Sequence, residues 1–209
     1  MAIFKFKITK QLPLGTRDLV WETIENLRSA LDQAAYACAV AGGAINPKNA
    51  YFPIADTEAD LESGVIGRGR CKHVPADILA LFRTFKPYKE GNVPVWVLNK
   101  LCNSSKHRVI IPAGGMAENS LGVESLHFPK GPGAIFSPRW DSEKSEMKVF
   151  TAPIGSAVKY DLRFSVYIAF GEVDAVSGQP VIPVLRGITG EVGRILTAIE
   201  GEAKRIGLF

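Results

Sequence analysis

Two short stretches of this sequence bring together side chains able to do chemistry. In the first, residues 25–33, Glu25, Arg28 and Asp32 stand at i, i+3 and i+7. On a helix that spacing lets one guanidinium bridge two carboxylates on one face, and Tyr36 continues the stripe. Gln33, five residues after Arg28, is turned about 140° round the axis and flanks the stripe. The second stretch is Asn103-Ser104-Ser105-Lys106-His107-Arg108, with an amide, two hydroxyls, an ammonium, an imidazole and a guanidinium in succession. An imidazole near its ordinary pKa both takes and gives protons at neutral pH, so His107 is the candidate general acid or base. Of the three histidines, His73, His107 and His127, only His107 stands among other potential site residues. With Lys106 and Arg108 beside it, the segment reads as a phosphate clamp. Both stretches also have a purely structural account. Cations at a helix C-terminus complement its dipole, and Glu25, Arg28 and Asp32 form an ordinary ion-pair network.

The elements that must position these residues are legible from periodicity. Residues 3–9 alternate as a strand. A helix over Asp18–Gly42 follows, with Val20, Ile24, Leu27, Leu31, Ala34 and Cys38 as its apolar stripe. Thr16 or Asp18 is the expected N-cap, and Gly42-Gly43 the stop. Pro75 and Pro94 each open a further helix, the second running to Ser104 or Ser105, so the Asn103–Arg108 segment falls where a helix ends and a strand begins. Strands are expected at 109–112, 121–128, 134–137, 146–151 and 160–170, set off by turn residues, and a last helix runs from about Val184 to Ile206. Gly187, Gly190 and Gly193 recur along that helix, and close packing against a neighbour is the expected reason. The expected fold is therefore α+β: a helical bundle with a C-terminal antiparallel β-sheet and a closing helix. It forms one domain over 1–209, with helical parts at about 11–107 and 181–209 and the sheet at about 108–173.

Between the first two helices an acidic run, Asp56, Glu58, Asp60 and Glu62, precedes GVIGRGRCKH, residues 64–73. A self-neutralising surface loop is the plain reading. A basic loop touching phosphate is the functional one, although the spacing is not that of a phosphate loop.

Composition narrows the class. A net charge of +4 permits an anionic partner without the dense basic signature of a dedicated nucleic-acid binder. Cys38, Cys71 and Cys102 make an odd set without CxxC spacing, which points to reduced thiols and a cytoplasmic setting. No apolar run is long enough to span a membrane. No metal-ligand spacing, calcium loop or dinucleotide fingerprint occurs, so neither metal nor cofactor is expected.

The residues LRSALDQAAYA (27–37), YFPI (51–54) and NSSKHR (103–108) resemble a group of uncharacterised bacterial and phage-associated proteins. Their pattern is a helix with L-R-x-A-L-D-H, an F-P-I segment, an N-x-x-K-H-R segment and a β-rich C-terminal part. The helical part also resembles the HEPN superfamily, whose ribonucleases carry R-x4–6-H and join Arg and His of two subunits to cleave RNA without metal. That resemblance implies an RNA- or nucleotide-phosphate-binding protein of phage–host conflict, working as a homodimer. Arg28 matches the motif arginine, but Gln33 stands at the histidine position, and an amide cannot exchange a proton near neutral pH. A ribonuclease of this kind is weakened by Gln33 and leaves His107 as its proton-transfer group. Arg28 and His107 are then the catalytic candidates, and Lys106, Arg108, Asn103, Asp32, Gln33 and Glu25 the binding ones. The competing expectation is a non-catalytic structural or interaction protein whose polar clusters only tie the helix to the sheet.

Overall fold

A computed structural model describes residues 1–9, 12–13, 15–104, 110–129, 135–141, 144–171 and 173–209. The fold is α+β, with a bundle of helices and small antiparallel sheets. The sequence-predicted Lys106, His107 and Arg108 lie outside the described residues.

The long helix α1 spans Thr16–Ala41. Its entry differs from expectation. Gly15 is the N-cap, at φ 82°, and no side chain caps the helix. Thr16 is instead the first helical residue, and Asp18 in the first turn complements the helix dipole. At the other end, the Gly43 N–H bonds to the Val40 carbonyl and the Ala44 N–H to the Ala39 carbonyl. That paired arrangement needs a left-handed residue, which Gly43 supplies at φ 93°. Val20, Ile24, Leu31, Ala35, Cys38 and Ala39 form the buried face, with Leu27 and Ala34 packed at its margin.

Three further helices complete the bundle: α2 (Ala76–Thr84), α3 (Val93–Cys102) and α4 (Val181–Arg205). Helix α1 packs on α3 and α4, and α4 also packs on α2 and α3. Asn92 joins three of them. Its Oδ1 caps α3 by accepting from the Val95 N–H at 3.2 Å. Its Nδ2 donates to the Phe85 carbonyl after α2, at 3.2 Å, and to Glu191 of α4, at 2.5 Å. A buried amide is tolerated because its groups find partners. No described helix is long and apolar enough to cross a membrane.

The β structure departs from the single C-terminal sheet that was expected. Strand β1 (Ala2–Lys7) pairs antiparallel with β4 (Glu146–Ala152), and β4 pairs antiparallel with β3 (Ile135–Asp141), giving the order β1-β4-β3. A separate two-stranded ribbon joins β2 (Ile110–His127) to β5 (Ala157–Phe170). Residues 110–112 and 121–127, expected in two strands, are thus parts of one, interrupted by register shifts between Met116 and Leu121 and between Val123 and Ser125. Ile110 and Phe170, at one end of the ribbon, are buried in the helical core. The three-stranded sheet has a core of its own: Val149, Phe150 and Ala152, with Phe4, Phe6 and Phe128 packed on it.

Close packing does not explain the glycines of α4. Gly187, Gly190 and Gly193 are exposed, and a Cβ built on any of them meets no atom within 4 Å.

Candidate functional site

Helical geometry explains where the polar stripe of α1 points. Taking Ile24 on the buried face as the origin, Arg28 lies about 40° round the axis, Asp32 about 80°, Glu25 about 100° and Gln33 about 180°. Arg28 therefore rides the edge of the core face, and the stripe climbs from there into solvent. Arg28 and Asp32 are accordingly mostly buried, with side-chain exposures of 19% and 25%. Glu25 and Gln33 are exposed.

What the pair grips is a peptide group. Arg28 Nη2 donates to the Phe52 carbonyl at 3.0 Å and lies 2.9 Å from Asp32 Oδ1. The same Asp32 oxygen accepts from the Phe52 N–H at 3.0 Å. The YFPI segment is thereby fastened to α1, with Phe52 fully buried against Phe82 and Phe85. Arg28 does not bridge two carboxylates as its spacing suggests: Glu25 makes no ion pair among the described residues. Burial pushes the Asp32 carboxyl above its ordinary range, opposed by Arg28, by the Phe52 N–H and by Arg70. Burial likewise lowers Arg28, with Asp32 opposing it. For both partners the loss of water outweighs the attraction between them.

A second anchor comes from the other side of the same segment. The Tyr51 N–H donates to the Arg70 carbonyl at 3.2 Å, and the Cys71 thiol donates to the Tyr51 carbonyl at 3.3 Å. Residues 60–66 form a π-helical turn, Asp60–Ile66, that leads into this contact. Such turns are rare and frequent at functional sites. The acidic run does not neutralise the basic loop that follows it. Glu62 pairs with Arg83 at 2.8 Å, and Asp56 with Lys100 at 2.7 Å. Arg68, Arg70, Lys72 and His73 are left without a salt bridge among the described residues.

These elements enclose a cavity of about 460 Å³. Glu25, Arg28 and Asp32 line it from α1, and Tyr51, Phe52 and Ile54 from the clamped segment. Val65 and Arg70 close another side, and Asn99, Cys102 and Asn103 come from the last turn of α3. Arg28 Nη1 is buried and has no hydrogen-bond partner among the described residues. Asn103 spends its Nδ2 on the Asn99 carbonyl at 2.9 Å, and its side-chain oxygen has no hydrogen-bond partner among the described residues. Burial pushes the Cys102 thiol up to about 11, and Cys71 is raised to about 11 for the same reason.

Five of the sequence-predicted residues can be placed. Arg28, Asp32, Glu25 and Asn103 meet at the cavity. Gln33 does not. It donates to Ser29 Oγ at 3.0 Å and lines a second cavity of about 310 Å³ beyond Asp32. Tyr51 is a site residue that sequence reasoning missed, and Arg70 comes from the basic loop read as touching phosphate, without having been named among the site candidates. The signal for Arg70 was the GRGR run at 67–70. Nothing in its own periodicity marks Tyr51, which is set by the clamp on Phe52. Among the described residues no three His, Cys, Asp or Glu side chains gather as a metal site requires.

Comparison with family models, with curated proteins and with solved structures finds no match to this chain.

Proposed function

We propose that this chain binds RNA or a nucleotide through a phosphate group seated in the cavity between Arg28 and Arg70. The observation that carries the reading is the pair of guanidinium residues, Arg28 and Arg70, that line one cavity, with Arg28 Nη1 buried and without a hydrogen-bond partner among the described residues. A buried guanidinium N–H is costly to leave unpaired, and a phosphate oxygen is a strong acceptor for it. Arg70, which makes no salt bridge among the described residues, offers a second cation on the wall of that cavity. Glu25, exposed on the same wall, repels a bare anion but accepts from a hydroxyl, which favours a phosphate ester of a sugar over inorganic phosphate. In this reading Lys106 and Arg108, a few positions beyond Asn103 in the sequence, extend the phosphate contact. His107 is the proton-transfer group of a metal-independent cleavage, and two copies of the chain work together.

The test is incubation of the purified protein with a mixed RNA pool in EDTA, comparing wild type with Arg70→Ala, His107→Ala and Gln33→His. Arg70→Ala is expected to weaken RNA retention and lower its salt dependence by about one phosphate contact, with Tm unchanged. Cleavage lost in His107→Ala assigns the proton transfer to that residue, whereas activity gained only in Gln33→His marks a nuclease scaffold lacking its base. No retention of RNA or nucleotide by the wild type overturns the reading.

A second reading has an observation of its own. The contacts among Arg28, Asp32 and the Phe52 peptide form a closed ring that ties α1 to the 51–54 segment without any ligand. If that is the whole role of the cluster, Arg28→Ala lowers Tm and Arg70→Ala changes neither Tm nor RNA retention.

A further inference from the structure

The two cavities on this face share a wall. Asp32 and Tyr51 line both, so the larger cavity, with Arg28 and Arg70, and the smaller one stand side by side. Their volumes of about 460 and 310 Å³ lie in the range that small ligands occupy. Their chemistry differs. The smaller cavity has Tyr36 and Tyr51 on its wall, 43% and 45% exposed, with the amides of Gln33 and Asn46 and the ammonium of Lys48.

We infer that the smaller cavity takes the base of a nucleoside monophosphate unit whose phosphate lies in the larger one. This rests on the phosphate reading above and adds a specificity to it. Exposed tyrosine rings on a concave surface are unusual for a structural role, since they neither fill the core nor cap an element. They are suited to a flat heterocycle, which stacks on an aromatic face in water. The amides supply what a base edge needs. Gln33 has one N–H engaged with Ser29, and its carbonyl oxygen and second N–H have no partner among the described residues. Asn46 makes no side-chain hydrogen bond among the described residues and holds a left-handed backbone, φ 51°, that turns the chain at the rim. Asp32 Oδ1 is held by Arg28 and the Phe52 N–H, which fixes the side chain between the two cavities. It acts as the partition. The unit can be a free nucleotide or one residue of single-stranded RNA, which share this chemistry.

Titration calorimetry on the full chain separates the possibilities, using adenosine 5′-monophosphate, ribose 5-phosphate and a short single-stranded oligoadenylate as probes. The wild type is expected to bind the mononucleotide more tightly than ribose 5-phosphate. Tyr36→Ala and Tyr51→Ala should each reduce that affinity about tenfold, and Tyr36→Ala, at a residue that lines the smaller cavity and not the larger, should leave ribose 5-phosphate unchanged. Tyr51→Phe, which keeps the ring, should behave as wild type, and circular dichroism confirms that each variant folds. Equal affinities for the two small probes, with Tyr variants unchanged and Arg70→Ala deficient toward both, overturn the base pocket while the phosphate reading stands. No binding of any probe removes both. Oligoadenylate bound more tightly than the mononucleotide identifies RNA as the source of the unit, and equal binding identifies the free nucleotide.

Discussion

At Asp32 one oxygen serves two donors, the Arg28 guanidinium and the Phe52 N–H, at 2.9 and 3.0 Å. Burial still raises its pKa. A carboxyl with a higher pKa in the folded chain keeps its proton where the unfolded chain, near 3.9, has begun to release it. Its stability contribution is therefore fully present below about pH 3.9 and is lost as pH rises through the folded value. Asp32→Asn retains an acceptor for Phe52 and removes this titration. Urea denaturation at a series of pH values is expected to show the stability advantage of wild type over Asp32→Asn shrinking as pH climbs from about 4 toward neutrality. A gap that stays level or widens contradicts burial as the dominant influence on Asp32. The pairing of Arg28 with Asp32 is legible in the sequence because i,i+4 neighbours meet on any helix. Their joint hold on Phe52 is not. It depends on a segment some twenty positions away whose own residues carry no periodic signal.

Helices were legible wherever local chemistry decides them. Pro94 in the first turn of α3 and Gly43 after α1 act through their own backbone, whatever surrounds them. Partners brought in from a distance were not legible, as with Asn92, which reaches Glu191 of α4. The glycines of α4 show the reverse error: a packing role is the natural inference from their spacing, yet Gly187, Gly190 and Gly193 face open space. Nothing in the structure explains their retention. Each costs a helix about 0.5–1 kcal/mol relative to alanine. The triple alanine variant is expected to melt several degrees higher, since a domain of this size gains about 2–4 °C per kcal/mol. An unchanged or lower Tm, read by circular dichroism, means that another surface covers this face in solution. A concentration-dependent Tm then identifies that surface as a second copy of the chain.

Besides a small apolar cluster of Ala55, Leu61 and Tyr88, two separate ones share the work of stability among the described residues. One lies among the four helices, and the other lies on the sheet formed by β1, β4 and β3. Phe4, stacked on Phe150 with ring centroids 4.4 Å apart, belongs to the second. Phe4→Ala is expected to cost about 2 kcal/mol, less than a full core deletion because the ring is half-exposed. Hydrogen exchange should then quicken in β4 and β3, with protection in α1, α3 and α4 retained. Equal loss of protection in the helices means that the two clusters unfold as one unit. The partnership of β1 with β4 also has a consequence during synthesis. Lys5 and its partner Glu146 are separated by 141 positions, which a ribosome adding roughly 5–20 residues per second takes about 7–30 s to cover. For that interval Ile3, Phe4 and Phe6 leave the exit tunnel as an unpaired strand, open to any neighbouring nascent chain. Lys5 and Lys7, alternating with the apolar residues, supply the charge that discourages such pairing until β4 arrives.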